Sequence, residues 1–263
     1  MDRTSQQIAE LEKLIYKALV PVARATPGLN LSFRDDVILI SNENLPDIDT
    51  THACLVQTLP EQADALIAEV VDYFKMRNLP STIFISPACT PVDIDRRLLA
   101  SGFVREQTEE AWLILKGLRP IDHSITNLQM AKIDEGRVLT FAEVMLTAWG
   151  LSTNLAPLMA QTLLPSMAVP EVNHFLGFLD DAPVAACTVV CYGKFGIMRE
   201  TGVMPAYQDS QVRTDLEAMV IDDVRQQGVE TLLLQTMAGT SSERYLAIHG
   251  FKSAFTRAIY TLS

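Results

Sequence analysis

The stretch GVMPAYQDSQVRTDLEAM, Gly202 to Met219, decides how this chain is read. It gives a strand end, a turn set by Pro205, a polar loop from Gln208 to Arg213, and a helix starting near Val212. A strand leading into a helix N-terminus is a layout that holds anions. The first amides of a helix lack intrahelical partners, and the macrodipole is positive there. The loop contains no glycine, so side chains stand where hydrogen atoms would allow a ligand's close approach. The stretch is therefore a cofactor site, the remnant of one, or a connector.

Working outward, FGIMRETGVM (195–204) is a strand, preceded by HFLGFL (174–179) and APVAACTVVCY (182–192) around the acidic turn Asp180-Asp181. NLQMAKI (127–133) reads as a strand, with helices about 137–149 and 154–163. After the quoted stretch come a helix to about 227, the strand TLLLQT (231–236), a short helix 241–249 and the strand AFTRAIYTL (254–262). The first half reads as a helix 5–24 ended by Pro27-Gly28, strands VILIS (37–41) and HACLVQT (52–58), a helix 61–78, the strand STIFIS (81–86), a short helix 93–101 and the strand EAWLIL (110–115).

The two halves echo each other. RRLLASGFV (96–104) aligns with RYLAIHGFK (244–252), placing Gly102-Phe103 opposite Gly250-Phe251, with Trp112 and Tyr260 ten residues past each glycine. A glycine after a short helix supplies positive φ, and the following Phe packs back under the helix. Two domains of about 130 residues fit the usual domain size. The boundary falls in KGLRPIDHS (116–124), dividing residues 1–120 from 121–263.

The chain has 263 residues, 48% hydrophobic and 20% charged, which suits a folded domain with a full core. Its net charge of −11 repels phosphate backbones, so no nucleic-acid partner is expected, and cationic substrates are favoured. No apolar signal region and no stretch of about 20 apolar residues occurs, so the expectation is a cytoplasmic protein with no membrane partner. Cys54, Cys89, Cys187 and Cys191 are scattered singly and read as buried reduced thiols rather than a disulfide or zinc site. No metal is expected. His52, His123 and His174 stand isolated, and His249 reads as a helix C-terminal residue meeting the dipole.

The pattern V-x-P-x-Y at Val203–Tyr207 before a helix, with Y-x-x-x-x-G-F at Tyr245–Phe251, resembles the GNAT acetyltransferase superfamily. The resemblance covers most of 127–263, and the first half resembles only the later part of such a domain. It implies an α/β fold with a mixed sheet: two GNAT-like domains in tandem, 1–120 degenerate and partial, 121–263 acetyltransferase-like. It implies acetyl-CoA as co-substrate and direct transfer of the acetyl group to an amine of a small molecule or peptide. The family's phosphate loop would fall on Gln208, Asp209, Ser210, Gln211, Val212 and Arg213, and the backbone of Val203 would hold the pantetheine arm. Here Gln211 and Arg213 replace small residues and Asp209 sets a carboxylate beside the phosphates, whereas Arg213 could bind them.

The resemblance also makes Tyr245 a general acid for the departing thiolate and Glu200 a general base whose pKa burial would raise. The residues alone also allow Tyr245 as a half-buried helix aromatic and Glu200 as a solvent-facing strand carboxylate, or one paired with Arg199 or another strand's base. Trp149 would line the acceptor pocket or fill the core. The first half lacks the V-x-P-x-Y loop and has Arg97 at the Tyr245 position, so any catalysis belongs to the second half. A monomeric pseudo-dimer or a homodimer is expected. The alternative function is a non-catalytic GNAT-fold module, binding a ligand or protein, that has lost normal CoA binding.

Overall fold

The computed structural model describes residues 3–119, 126–208 and 211–262. Along the chain run α1 (Arg3–Ala25), β1 (Leu29–Phe33), β2 (Ile38–Asn42), β3 (His52–Cys54), α2 (Ala63–Lys75), β4 (Ser81–Ile85), α3 (Ile94–Ala100) and β5 (Val104–Lys116). Then come β6 (Gln129–Lys132), α4 (Val138–Ala148), α5 (Ala156–Leu163), β7 (Val172–Leu179), β8 (Ala182–Tyr192) and β9 (Phe195–Val203). The chain ends with α6 (Val212–Gln226), β10 (Thr231–Met237), α7 (Ser241–Ile248) and β11 (Lys252–Leu262). Short 3-10 turns occupy Leu164–Ala168 and Pro205–Tyr207. The fold is mixed α/β, as the sequence implied. Among the described residues, no helix is long and apolar enough to cross a membrane.

The chain forms two compact units: Met1–Leu113 with Gln235–Ser263, and Ile114–Leu234. The repeat in the sequence and the contacts in space divide the chain differently because of β11. This strand lies between β4 and β5 and runs antiparallel to β4 from Ala258–Ile85 to Leu262–Ser81.

In the first unit the strand order is β1-β2-β3-β4-β11-β5. On α2, Leu66, Ile67, Val70 and Phe74 recur at helical spacing and are buried in one core with Val37, Leu39, Ile83, Leu98 and Tyr260. The strand β1 has no counterpart in the sequence reading, although Leu29, Leu31 and Phe33 alternate with Asn30 and Ser32, because five residues after the Pro27-Gly28 break are a short run. The repeat is real in geometry. Gly102 has φ +90 and Gly250 φ +92, the left-handed region glycine enters freely. Phe103 N donates to Leu98 O at 3.0 Å and Phe251 N to Leu246 O at 3.1 Å. Both Phe rings are buried, so the same helix cap is built twice.

In the second unit the order is β10-β9-β8-β7-β6. Neighbouring residues of β7 point to opposite faces. Leu176 packs with Phe141 and Met145 of α4, and a Cβ on Gly177 would touch Leu216 of α6. So α4 covers one face and α6 the other. The cysteines are free thiols. Burial pushes Cys187 up to about 12 and Cys191 up to about 11, so both are protonated at neutral pH.

Gly202 fixes how closely α4 approaches β9. A Cβ there would lie 2.7 Å from Ala148 Cβ and 3.3 Å from Met145 Sδ. Neither the helix nor the strand can retreat without disturbing the core, so Gly202→Ala is expected to cost about 1–3 kcal/mol. Urea unfolding checks this: the midpoint should drop, and an unchanged midpoint would mean that the helix shifts freely.

Candidate active site

The site grows from an irregularity in β9. This strand pairs antiparallel with β8, but the partners go from Val189–Met198 to Cys187–Thr201. Arg199 and Glu200 therefore face Thr188 alone, the two-against-one pattern of a β-bulge, which re-aims side chains. On the other edge of β9 the parallel ladder to β10 runs from Phe195–Thr231 to Met198–Leu234, and β9 continues to Val203. The bulge thus follows directly on the last of these β10 pairs.

The Glu200 side chain is 24% exposed, so it touches both solvent and the interior. Arg199 Nε lies 3.4 Å from Glu200 Oε1. The sequence reading expected burial to raise the Glu200 pKa, and this is corrected. Burial does push it up, but the Arg199 guanidinium, a backbone amide, His174 and the Thr188 hydroxyl together hold it below the usual carboxylate value. Glu200 is ionised at neutral pH, an acceptor ready for a proton though a weak base.

His174 on β7 lies behind it, buried. Its Nδ1 is 2.8 Å from Thr188 Oγ1, and its Nε2 is 2.9 Å from Ser166 Oγ. Ser166 Oγ donates to Leu163 O at 2.6 Å. The Phe141 ring meets the imidazole edge-on at 5.3 Å. Burial pulls the His174 pKa down, Glu200 lifts it and Lys132 lowers it. The isolated histidine of the sequence is thus linked to Glu200. His174, Thr188 and Ser166 were missed because their spacings of 14 and 8 residues match no motif, and only the β7–β8 register places His174 opposite Thr188.

The phosphate-loop candidates surround the start of α6. Asp209 and Ser210 lie outside the described residues, as does His123. Gln211 is the N-cap, in αR conformation without a side-chain cap bond. Val212 is buried. Arg213 Nε pairs with Glu217 Oε1 at 2.9 Å, so part of the charge that could meet a phosphate is already balanced. Asp215, in the first turn, accepts from Thr126 N at 3.0 Å and from Thr126 Oγ1. Gln208 Nε2 reaches Ala148 O at 3.4 Å and Val203 O at 3.5 Å, tying the loop to the end of α4. Trp149 caps α4 and is 45% exposed, so it is no core aromatic.

Tyr245 belongs to the other unit. It is half-buried on α7, and its ring lies 4.4 Å from that of the C-cap residue His249. In that unit the segment after β3, which precedes α2 as the quoted stretch precedes α6, is stitched to the segment after β4. Thr90 N donates to Val56 O at 2.8 Å and Thr58 N to Thr90 O at 3.3 Å. Those β3-side backbone groups are spent on the chain itself.

In fold the chain is similar to GNAT proteins, a tandem one among them. No family model and no curated protein matches the sequence. The chain is similar in fold to a GCN5-related N-acetyltransferase from Kribbella flavida, at TM-score 0.66 and 11% identity over 93% of this chain and 94% of that one. It is similar to a tandem GNAT protein from the clavulanic acid biosynthesis pathway, at TM-score 0.67 and 13% identity over 99% and 95%. It is also similar to a conserved protein of unknown function from Staphylococcus epidermidis, at TM-score 0.68 and 10% identity over 90% and 94%.

Proposed function

We propose that this chain is an N-acetyltransferase that moves the acetyl group of acetyl-CoA to an amine of a small molecule or peptide by direct attack. The observation that carries the reading is the bulge, which sets an ionised, partly exposed Glu200 just past the last of the β9–β10 pairs. A carboxylate there can take the proton of an attacking ammonium, and the net charge of −11 favours a cationic acceptor. Val203, Gln208, Asp209, Ser210, Gln211, Val212 and Arg213 are assigned to acetyl-CoA, with the α6 dipole favouring the diphosphate. Positioning supplies most of the catalysis. Tyr245 keeps, by resemblance, the role of proton donor to the thiolate.

The second reading, a binding module without transfer, is favoured by the glycine-free loop and the Arg213–Glu217 pair. Titrating acetyl-CoA while following thermal unfolding separates the two. At one hundred times Kd the cofactor adds roughly 2.7 kcal/mol, a clear rise in melting temperature. No shift at millimolar acetyl-CoA rejects the transferase. Tyr245→Phe is expected to lower kcat with cofactor affinity unchanged, and unaltered turnover removes Tyr245 from the chemistry.

A further inference from the structure

We propose that the acceptor is an amine carrying a bulky apolar group, an alkyl chain or an aryl ring, selected by Trp149, Leu151, Leu155 and Leu158 while Glu200 faces its ammonium. This deepens the acetyltransferase reading and rests on it. In the second unit Leu139, Trp149, Leu151, Leu155, Leu158 and Leu164 are each 41% to 50% exposed. Among the described residues of that unit, the other exposed large apolar side chain is Tyr192. Single exposed leucines are ordinary on a protein surface, whereas their concentration in one segment marks a binding surface. Four of the six fall in WGLSTNLAPL, 149–158.

The backbone that carries them is fixed. Gly150, at φ +70, ends α4: its N donates to Thr147 O at 3.1 Å, and Leu151 N donates to Leu146 O at 2.8 Å. Ser152 Oγ accepts from Asn154 N at 3.3 Å, and Leu155 N donates to Ser152 O at 3.1 Å, just before α5 begins. These side chains are therefore held out in water by a hydrogen-bonded scaffold, and a ligand that covers them has little backbone to order.

Two sets of contacts join the segment to the Glu200 site. Ala148, which precedes Trp149, lies so close to β9 that a Cβ on Gly202 would be 2.7 Å from its own Cβ, and Ala148 O accepts from Gln208 Nε2 at 3.4 Å. Gly202 follows Glu200 by two residues on β9 and so shares its face of the sheet. Met159 and Leu163 of α5 pack against the same cluster of Phe141, Met145 and Ala186 as Met204, the residue after β9. The end of α4 and the helix α5 are thus both anchored at the end of β9 that carries the partly exposed Glu200 carboxylate. The charge of the segment selects the sign of the ligand. Between Arg137 and Lys194 the sequence has no Lys or Arg, whereas Glu143, Glu171, Asp180 and Asp181 are acidic. An apolar anion would meet Glu200 and no cation from this stretch; an apolar amine meets a carboxylate.

Trp149 fluorescence tests this without turnover, with n-alkylamines from methylamine to octylamine as probes and Trp149→Phe as the blank. Affinity should rise about fourfold for each methylene that becomes buried. Octanoate should bind about 10-fold or more weakly than octylamine, because its charge repels that of Glu200. Affinity unchanged from methylamine to octylamine, or octanoate bound as tightly as octylamine, overturns the proposal. With acetyl-CoA present, Trp149→Ala, Leu155→Ser and Leu158→Ser should each raise the octylamine KM about 10-fold with kcat nearly constant, and flatten the dependence on chain length. Their side chains stand half in water, so the melting temperature should hold. An unaltered octylamine KM in all three overturns the selection. A Trp149 emission shift on raising the protein concentration alone, with a dimer in sedimentation, assigns the face to a second copy of the chain and overturns it too. Chain-length-dependent binding with no amine acetylated keeps the apolar site and rejects the transferase. Methylamine and octylamine acetylated with equal kcat/KM keep the transferase and reject the apolar site.

Discussion

Arg257→Met lowers the stability of the first compact unit by about 3–5 kcal/mol near pH 8, because removing one partner of a buried ion pair strands the other. Arg257 is 2% exposed, Glu12 0% and Glu110 1%, so two carboxylates share one guanidinium away from water. Arg257 Nε pairs with Glu110 Oε2, and Nη1 lies 3.5 Å from Glu12 Oε1 and donates to Tyr16 Oη at 2.8 Å. Ser86 Oγ donates to Glu12 Oε2 at 2.6 Å, and Trp112 Nε1 to Glu110 Oε2 at 3.0 Å. The guanidinium also lies 4.4 Å from the Phe84 ring centre. Among the described residues, Glu12 Oε1 and Glu110 Oε1 accept no hydrogen bond, so the cluster has little to spare.

The pH dependence has a definite sign. Burial raises the Glu12 pKa above its ordinary 4.5, and Arg257 pulls it partly back. The fold prefers protonated Glu12, so that contribution is complete below 4.5 and is lost as pH rises through the folded value. Without Arg257 the folded value rises further. The deficit of Arg257→Met should therefore be larger at pH 8 than at pH 5. Urea unfolding at both pH values checks this, and an equal deficit below about 1 kcal/mol at both would show that the buried charges are balanced some other way. The triple variant Glu12→Gln, Glu110→Gln, Arg257→Met should recover much of the loss, since it removes the charges together.

Glu200→Gln should lower kcat by about 100-fold to 10,000-fold, the usual range for losing a general base, with acetyl-CoA affinity nearly unchanged. Glutamine keeps the size of the side chain but cannot take the proton. The residual rate should also lose the acid limb of its pH profile, because that limb belongs to Glu200, whose pKa is held low by Arg199 and His174 against burial. A rate equal to wild type with the same profile removes Glu200 from the chemistry and leaves its bulge as architecture.

Much of the scaffold was legible. The Gly102-Phe103 and Gly250-Phe251 repeats announced two matched helix caps because only a few residue types tolerate positive φ there. The helical periodicity over 61–78 announced α2, which the structure places at Ala63–Lys75. The strand β1 was missed although Leu29, Leu31 and Phe33 alternate with Asn30 and Ser32, because the alternation lasts only five residues. The Glu200 pKa expected from burial was wrong in sign, although the pairing with Arg199, its neighbour in sequence, was one of the alternatives; the His174 contribution depends on the β7–β8–β9 register and was not legible.

By itself the sequence determined most of the elements, their order and the doubled architecture, because hydrophobic periodicity and glycine punctuation act over a few residues. Only the tertiary structure decided that Glu12, Glu110 and Arg257, up to 245 residues apart, share one buried site, and that Thr188 meets His174 on β7 and stands opposite the β9 bulge at Arg199 and Glu200. Strand order, register and a one-residue bulge bring these groups together, and each is set by packing of the whole sheet rather than by any local run of residues.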